Sequence, residues 1–238
     1  MGEGAEHLRL RRWLDEQYTA TPFDGVRRMT AWLRSQGYAV NRKRVARLMH
    51  RRGLDALYPK PRLSQPASGH TLDPYLLRGV TVDRGNQGWR ADITSIRLQA
   101  GFVSLLAVMD WFSRYVLSWA LSITLDLSFG VEALAQALGH GCPAMFKTDQ
   151  GGQFTRQAFT ARLKPGGLRI RMDGRGRALD HGFVERLWRT VKQEDVYVHD
   201  YQSVQDARQG LVRYLVFDNE ERLHQALGDR PPAAVYRG

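Results

Sequence analysis

Residues 89–123, WRADITSIRLQAGFVSLLAVMDWFSRYVLSWALSI, hold three apolar segments in close succession. Trp89–Leu98 alternates partly, Phe102–Met109 is an apolar run, and Tyr115–Ile123 is a third stretch of aromatic, leucine and β-branched side chains. Segments of this length and composition predict an antiparallel meander.

Downstream the period changes. Phe129, Leu134 and Leu138 predict a helix over Ser128–Leu138, followed by a short strand at Ala144–Lys147 that ends at Asp149. Phe154–Leu163 reads as a helix, Leu168–Ile170 as a short strand and Leu179–Gln193 as a helix. Three strands, helix, strand, helix, strand, helix is the order of an α/β core of the RNase H-like fold, a mixed five-stranded sheet flanked by helices.

Upstream, residues 1–57 predict three short helices, a helix-turn-helix-like module. Leu8, Leu10 and Leu14 mark His7–Tyr18; Asp24 can cap a helix over Val26–Gln36 that stops at Gly37; Asn41 can cap Arg42–Arg52, whose apolar face is Val45, Leu48 and Met49. The last helix would turn Arg42, Lys43, Arg44, Arg47 and Arg51 toward a groove or phosphates. Tyr58–Pro74 contains Pro59, Pro61, Pro66, Ser64, Ser68 and Gly69, which favours an extended linker. The domain boundaries predicted are therefore 1–57 for the basic module, 58–86 for the linker and 87–238 for the catalytic core with a C-terminal helical extension.

The charge distribution points to a polyanionic partner. The chain has 238 residues with 35 Lys and Arg against 24 Asp and Glu, a net charge of +11. Residues 1–62 carry net +8 and residues 156–192 net +7, while the middle is close to neutral. Two separate basic zones predict two contacts with nucleic acid rather than a uniformly adhesive surface. Hydrophobic residues at 43% exclude wholesale disorder. The longest run without Asp, Glu, Lys or Arg, Ala133–Phe146, is too short and polar to cross a bilayer. A single cysteine, Cys142, excludes an internal disulfide, and residues 1–12 lack an apolar secretory core, so a cytoplasmic location is expected.

Three carboxylates fall at telling places in the element order. Asp92 lies inside the first strand, in WRADIT; Asp149 ends the fourth, in KTDQGGQF; Glu185 lies in the last helix, in DHGFVERLWRTVK. A carboxylate among buried strand neighbours is costly unless paired or bound to metal. Three such groups converging at one sheet edge suit two-metal phosphoryl transfer, because hard Mg²⁺ prefers oxygen ligands. Taken singly, each has an ordinary reading as an edge Asp, a turn Asp or a surface helix charge. In the last helix Phe183, Leu187 and Val191 can pack, leaving 185, 188, 189 and 192 on the opposite face.

These residues resemble the DDE set of retroviral-type integrases and insertion-sequence transposases, with 35 residues between Asp149 and Glu185. WRADIT, AVMDWFSRYVLSWAL, TDQGGQF, MDGRGRALD, FVERLWRTVKQEDVY and DNEERLHQALGDRPPAAVY resemble blocks of the second reading-frame product of the insertion-sequence-three family, in its order. TPFDGVRRMTAWLRSQGYAVNRKRVARLM resembles the N-terminal region of that family. The resemblance implies a DDE transposase that cleaves DNA and transfers strands. Asp92, Asp149 and Glu185 would be its catalytic ligands for two Mg²⁺ ions, for which Mn²⁺ can substitute. It also implies DNA contacts at Lys192, Arg189 and Gln153, double-stranded DNA as partner, a homo-oligomer on DNA and an upstream-frame partner protein. The sequence departs from the family pattern at Ser95, Ser104, Gly152, Arg171 and His181. An alternative reading is a catalytically impaired remnant that only binds DNA, and a second is a structure-selective nuclease on the same fold.

Overall fold

The computed structural model describes residues 5–57, 82–124, 127–148, 169–172 and 182–238; side chains at 5, 127, 169–172 and 182 lie outside that description. Backbone packing divides the chain into two compact units, Met1–Leu63 with Leu223–Asp229, and Ser64–Arg222 with Arg230–Gly238. The expected linker and the expected helix over Phe154–Leu163 fall outside the described residues, apart from 82–86.

The first unit contains α1 (Ala5–Ala20), α2 (Val26–Ser35) and α3 (Arg42–Arg51). Leu10, Leu14, Met29, Leu33, Val45, Leu48 and Met49 form its core. Asn41 caps α3 as its side chain predicts, accepting from Arg44 N at 2.8 Å, and Gly37 and Gly53 end α2 and α3 with φ of +85° and +67°. Asp24 does not cap α2. Gly25 occupies that position, and the Asp24 carboxylate instead reaches Arg28 at 2.6 Å, an i, i+4 ion pair that the cap competes with.

In the second unit β1 (Gly88–Leu98), β2 (Gly101–Asp110) and β3 (Val116–Ser122) form the meander; β4 (Met145–Thr148) and β5 (Arg169–Met172) complete one five-stranded sheet of order β3-β2-β1-β4-β5. The β1–β2 and β2–β3 pairs are antiparallel, and β1–β4 and β4–β5 are parallel. Helix α4 (Leu127–Leu138) packs Phe129, Ala133, Leu134 and Ala137 on one sheet face, against Trp89, Ala91, Leu106, Val108 and Phe146. The opposite face, with Ile96, Leu98, Val103, Leu105, Ala107 and Met109, is covered by α5 (Gly182–Val191) and α6 (Val204–Glu220). Both faces are thus buried, which is why FVSLLAVM reads as a continuous apolar run rather than an alternation. The short C-terminal helix α7 (Pro232–Tyr236) sets Tyr236 in a stack on Tyr115, centroids 4.9 Å apart, with its hydroxyl donating to Asn86 Oδ1 at 2.9 Å. Among the described residues no helix is long and apolar enough to cross a membrane.

Helix α5 runs on through a five-residue π turn (Lys192–Val196) and one α turn (Tyr197–His199). The wider turn brings both Asp195 and Val196 inward and leaves Tyr197 and Val198 exposed. It is held from α6: Glu194 accepts from Tyr214 Oη at 2.8 Å and pairs with both Nη atoms of the buried Arg222, Nη2 at 2.6 Å. Asp195 accepts from Tyr201 Oη at 2.6 Å.

Candidate active site

Asp92 stands half-buried in the first half of β1, opposite Ala107 of β2. Its Oδ2 accepts a hydrogen bond from Trp188 Nε1 at 2.8 Å. Trp188 lies three residues after Glu185 on α5, so this bond ties the helix that carries one candidate carboxylate to the strand that carries another. The indole is buried. The apolar stripe of α5 is Val184, Leu187, Trp188 and Val191, at i, i+3, i+4 and i+7, not the i, i+4, i+8 set of Phe183, Leu187 and Val191. The placement of residue 188 opposite the packed side is therefore corrected. A 3.6-residue period brings 184, 187, 188 and 191 closer to one line than a strict spacing of four does.

The third carboxylate, Asp149, lies outside the described residues, as do Gln153, Gly152 and His181. The strand that leads to it is described: β4 runs parallel to β1, and its last residue, Thr148, pairs with Ala91, the residue before Asp92. Among the described residues no group of three or more His, Cys, Asp or Glu side chains is placed to hold a metal. Asp92 and Glu185 are nevertheless suitable donors, being hard carboxylate oxygens, one fixed by an indole N–H and one exposed on a helix.

The cations expected near DNA fall into two groups. On α5, Arg189 is exposed; Lys192, which opens the π turn, is half-buried, and burial lowers its ammonium from the ordinary range. On α3, Arg42, Lys43, Arg47 and Arg51 are exposed, whereas Arg44 is half-buried and reaches Glu6 at 3.4 Å. Arg52, beside them, is tied to Asp15 through Nε at 3.1 Å. Two of the departures from the family pattern are neighbours in space: Ser95 pairs with Ser104, which pairs with Ser122 of β3, a row of three serines across the sheet. Arg171 is in β5, opposite Lys147.

Sequence reasoning missed Trp188 and two structural groups. Asp110, fully buried at the end of β2, accepts from Asn86 N, Ser113 N and Ser113 Oγ at 2.7–2.9 Å and so holds the β2–β3 turn. The Glu194–Arg222 pair holds the π turn. An i, i+3, i+4 scan of α5 would have found Trp188; nothing in the local pattern marks the other two.

A meander joined to two parallel strands, with carboxylates on β1 and on a helix packed across it, defines an integrase-type catalytic core, a polynucleotidyl transferase. Integrase core domain models match residues 82–178 and 166–232, and an HTH-like domain model matches residues 6–62. The chain is 32% identical over 215 residues to the transposase InsF for insertion sequence IS3A of Escherichia coli (strain K12), covering 87% of this chain and 75% of the relative. It is 28% identical over 224 residues to the transposase for insertion sequence element IS904 of Lactococcus lactis, covering 87% and 85%. In fold it is similar to the HTLV-2 integrase catalytic core domain, solved in complex with magnesium, with TM-score 0.53 and 20% identity over 64% of this chain and 97% of that one. It is also similar to a chain of the simian T-cell lymphotropic virus intasome, with TM-score 0.60 and 15% identity over 95% and 72%. The chain belongs to the IS3 family of transposases.

Proposed function

We propose that this transposase cuts DNA at the ends of an insertion sequence and joins the freed 3′-OH to another phosphodiester, with Asp92, Asp149 and Glu185 as ligands of two Mg²⁺ ions. The observation that carries this reading is the Trp188–Asp92 hydrogen bond, which fixes α5 and its Glu185 against the strand of Asp92. Support for Asp149 comes from the register of β4, whose last described residue stands beside Ala91. Bound by these carboxylates, Mg²⁺ supplies Lewis-acid activation of the attacking oxygen and neutralises charge on the phosphodiester in flight.

The chain's own groups do the positioning. Trp188 holds one Asp92 oxygen, so the carboxylate is kept in one rotamer. Arg189 and Lys192 follow Glu185 by one and two helical turns and meet phosphates near the cut; Gln153 lies in the same motif block as Asp149. Arg42, Lys43, Arg47 and Arg51 hold the element end through the phosphate backbone and the groove. Double-stranded DNA is the partner, two ends require more than one copy of the chain, an upstream-frame protein adds to end recognition, and the reaction takes place in the cytoplasm.

The test incubates the protein with Mg²⁺ and labelled DNA carrying candidate element ends, and follows cleavage and joining on gels. Wild type is expected to give both products, and Asp92→Asn, Asp149→Asn and Glu185→Gln neither. Lys192→Ala is expected to lose joining while its stability, at a half-buried position, changes by only about 1 kcal/mol. DNA binding without cleavage by the wild type would overturn the reading in favour of a binding-only protein.

A further inference from the structure

The turn after β2 presents an arginine in an unusual way. Arg114 has φ +66°, the left-handed region that a non-glycine residue seldom adopts. The turn around it is fixed by the buried Asp110 carboxylate, and Arg114 N donates to Asp110 O at 3.0 Å. From that backbone the guanidinium lies over the Phe183 ring, Cζ 3.2 Å from the centroid, and Nη1 donates to the Trp111 carbonyl. A guanidinium stacked on a ring keeps its other in-plane N–H groups available for a planar anion contact. One already fixed by a ring and a carbonyl loses less side-chain freedom on binding.

Phe183 is the second residue of α5, and Arg186 stands about one turn further, next to Glu185 and exposed. Burial first, and the Arg186 cation second, hold Arg114 down to about 10; Asp110 acts in the opposite sense, but its oxygens already accept from Asn86 and Ser113. Phe183 and Arg186 are i, i+3 neighbours on one face of α5, so the guanidinium stacked on Phe183 and that of Arg186 flank the same edge and repel each other. A phosphate shared between them replaces that repulsion with charge-assisted hydrogen bonds.

We propose that Arg114 and Arg186 together clamp one backbone phosphate of the DNA at the N-terminal end of α5. The clamp rests on the reading of Asp92, Asp149 and Glu185 as the reacting centre, and it places a second phosphate contact nearer the start of α5 than Lys192. Arg186 and Lys192 are six residues apart, about 9 Å of helical rise, so the two contacts hold different phosphates and set the direction of the strand across the carboxylates.

The test measures binding of the full chain to double-stranded DNA by fluorescence anisotropy over a salt series, without divalent metal. Arg186→Gln alters an exposed helix position, and Arg114→Asn keeps a residue type that tolerates left-handed backbone. Each single variant is expected to weaken binding at fixed salt, and the double variant to flatten the slope of log affinity against log salt by about 0.9, because one phosphate is shared and the remaining guanidinium of a single variant still neutralises it. Unchanged affinity in Arg186→Gln, or a flattening near 1.8 (about twice the value for one phosphate) in the double variant, overturns the shared clamp. Since the assay contains no metal, a failed clamp leaves the carboxylate reading standing, and that reading fails only in the cleavage assay.

Discussion

The Trp188 indole donates to a carboxylate that the proposed chemistry needs in one orientation, and it does so from the helix of Glu185. Trp188→Phe keeps most of the ring in the core and removes the donor. A fall in stability of only about 1 kcal/mol is expected, against a roughly 10- to 100-fold loss of metal affinity, measured by calorimetric titration with Mn²⁺ beside a thermal melt. Equal metal binding by wild type and variant would reduce Trp188 to a packing residue. Gly210 offers a second decision at single-residue scale. It sits inside α6 where a Cβ would overlap the Tyr201 hydroxyl and ring, and Tyr201 is buried with its hydroxyl bound to Asp195. Ala in place of Gly ordinarily favours a helix by about 1 kcal/mol; here overpacking outweighs it, and Gly210→Ala is expected to destabilise by about 1–3 kcal/mol in urea unfolding.

At the scale of elements, the helix beginning with α5 is the one whose local sequence and final form differ most. Its π turn persists because α6 and the residue just beyond Glu221 supply partners for it, Tyr214 and Arg222 for Glu194, while Tyr201 serves Asp195. Arg222→Met takes the cation from both Glu194 and the buried Asp218, 3.4 Å from Arg222 Nε, and is expected to cost about 3–5 kcal/mol, whereas Glu194→Leu with Arg222→Met recovers only part of the loss because Asp218 still lacks that cation. Denaturant midpoints of the three proteins check this. The Asp195 carboxyl is raised above its ordinary value, by burial foremost, with Tyr201, His199 and Arg213 opposing. The folded form therefore holds its proton more tightly than the unfolded form. The resulting stabilisation is full below the unfolded carboxylate value of roughly 4 and is lost as pH rises through the raised one. Asp195→Asn is expected to flatten that decline, read as the difference in melting temperature between variant and wild type from pH 4 to pH 7. A difference independent of pH would place the titration elsewhere.

For the whole molecule, charge and topology divide the work. Residues 1–57 carry 12 Lys and Arg against 6 Asp and Glu, net +6 of the chain's +11, so removing them is expected to flatten the salt dependence of DNA affinity by about 0.9 for each phosphate that the module neutralises. An unchanged slope would move the principal DNA surface to the core. Much of this architecture was legible in the chain. Three apolar segments in succession predicted the meander; Asn41 predicted the start of α3; and the motif blocks placed Asp92 on β1 and Glu185 on α5, because period and caps act through neighbours along the sequence. Asp24 shows where such reasoning stops: its side chain suits a cap, but Arg28 one turn on offers a stronger partner. What the sequence by itself determined is the order of elements, the basic module and the positions of the acidic residues. Only the tertiary structure decided that Trp188 donates to Asp92, that Ser95 and Ser104 are neighbours, that a π turn follows α5 and that Arg114 meets Phe183. These depend on groups far apart in sequence, 96 residues for Trp188 and Asp92, whose interaction energies no local pattern contains.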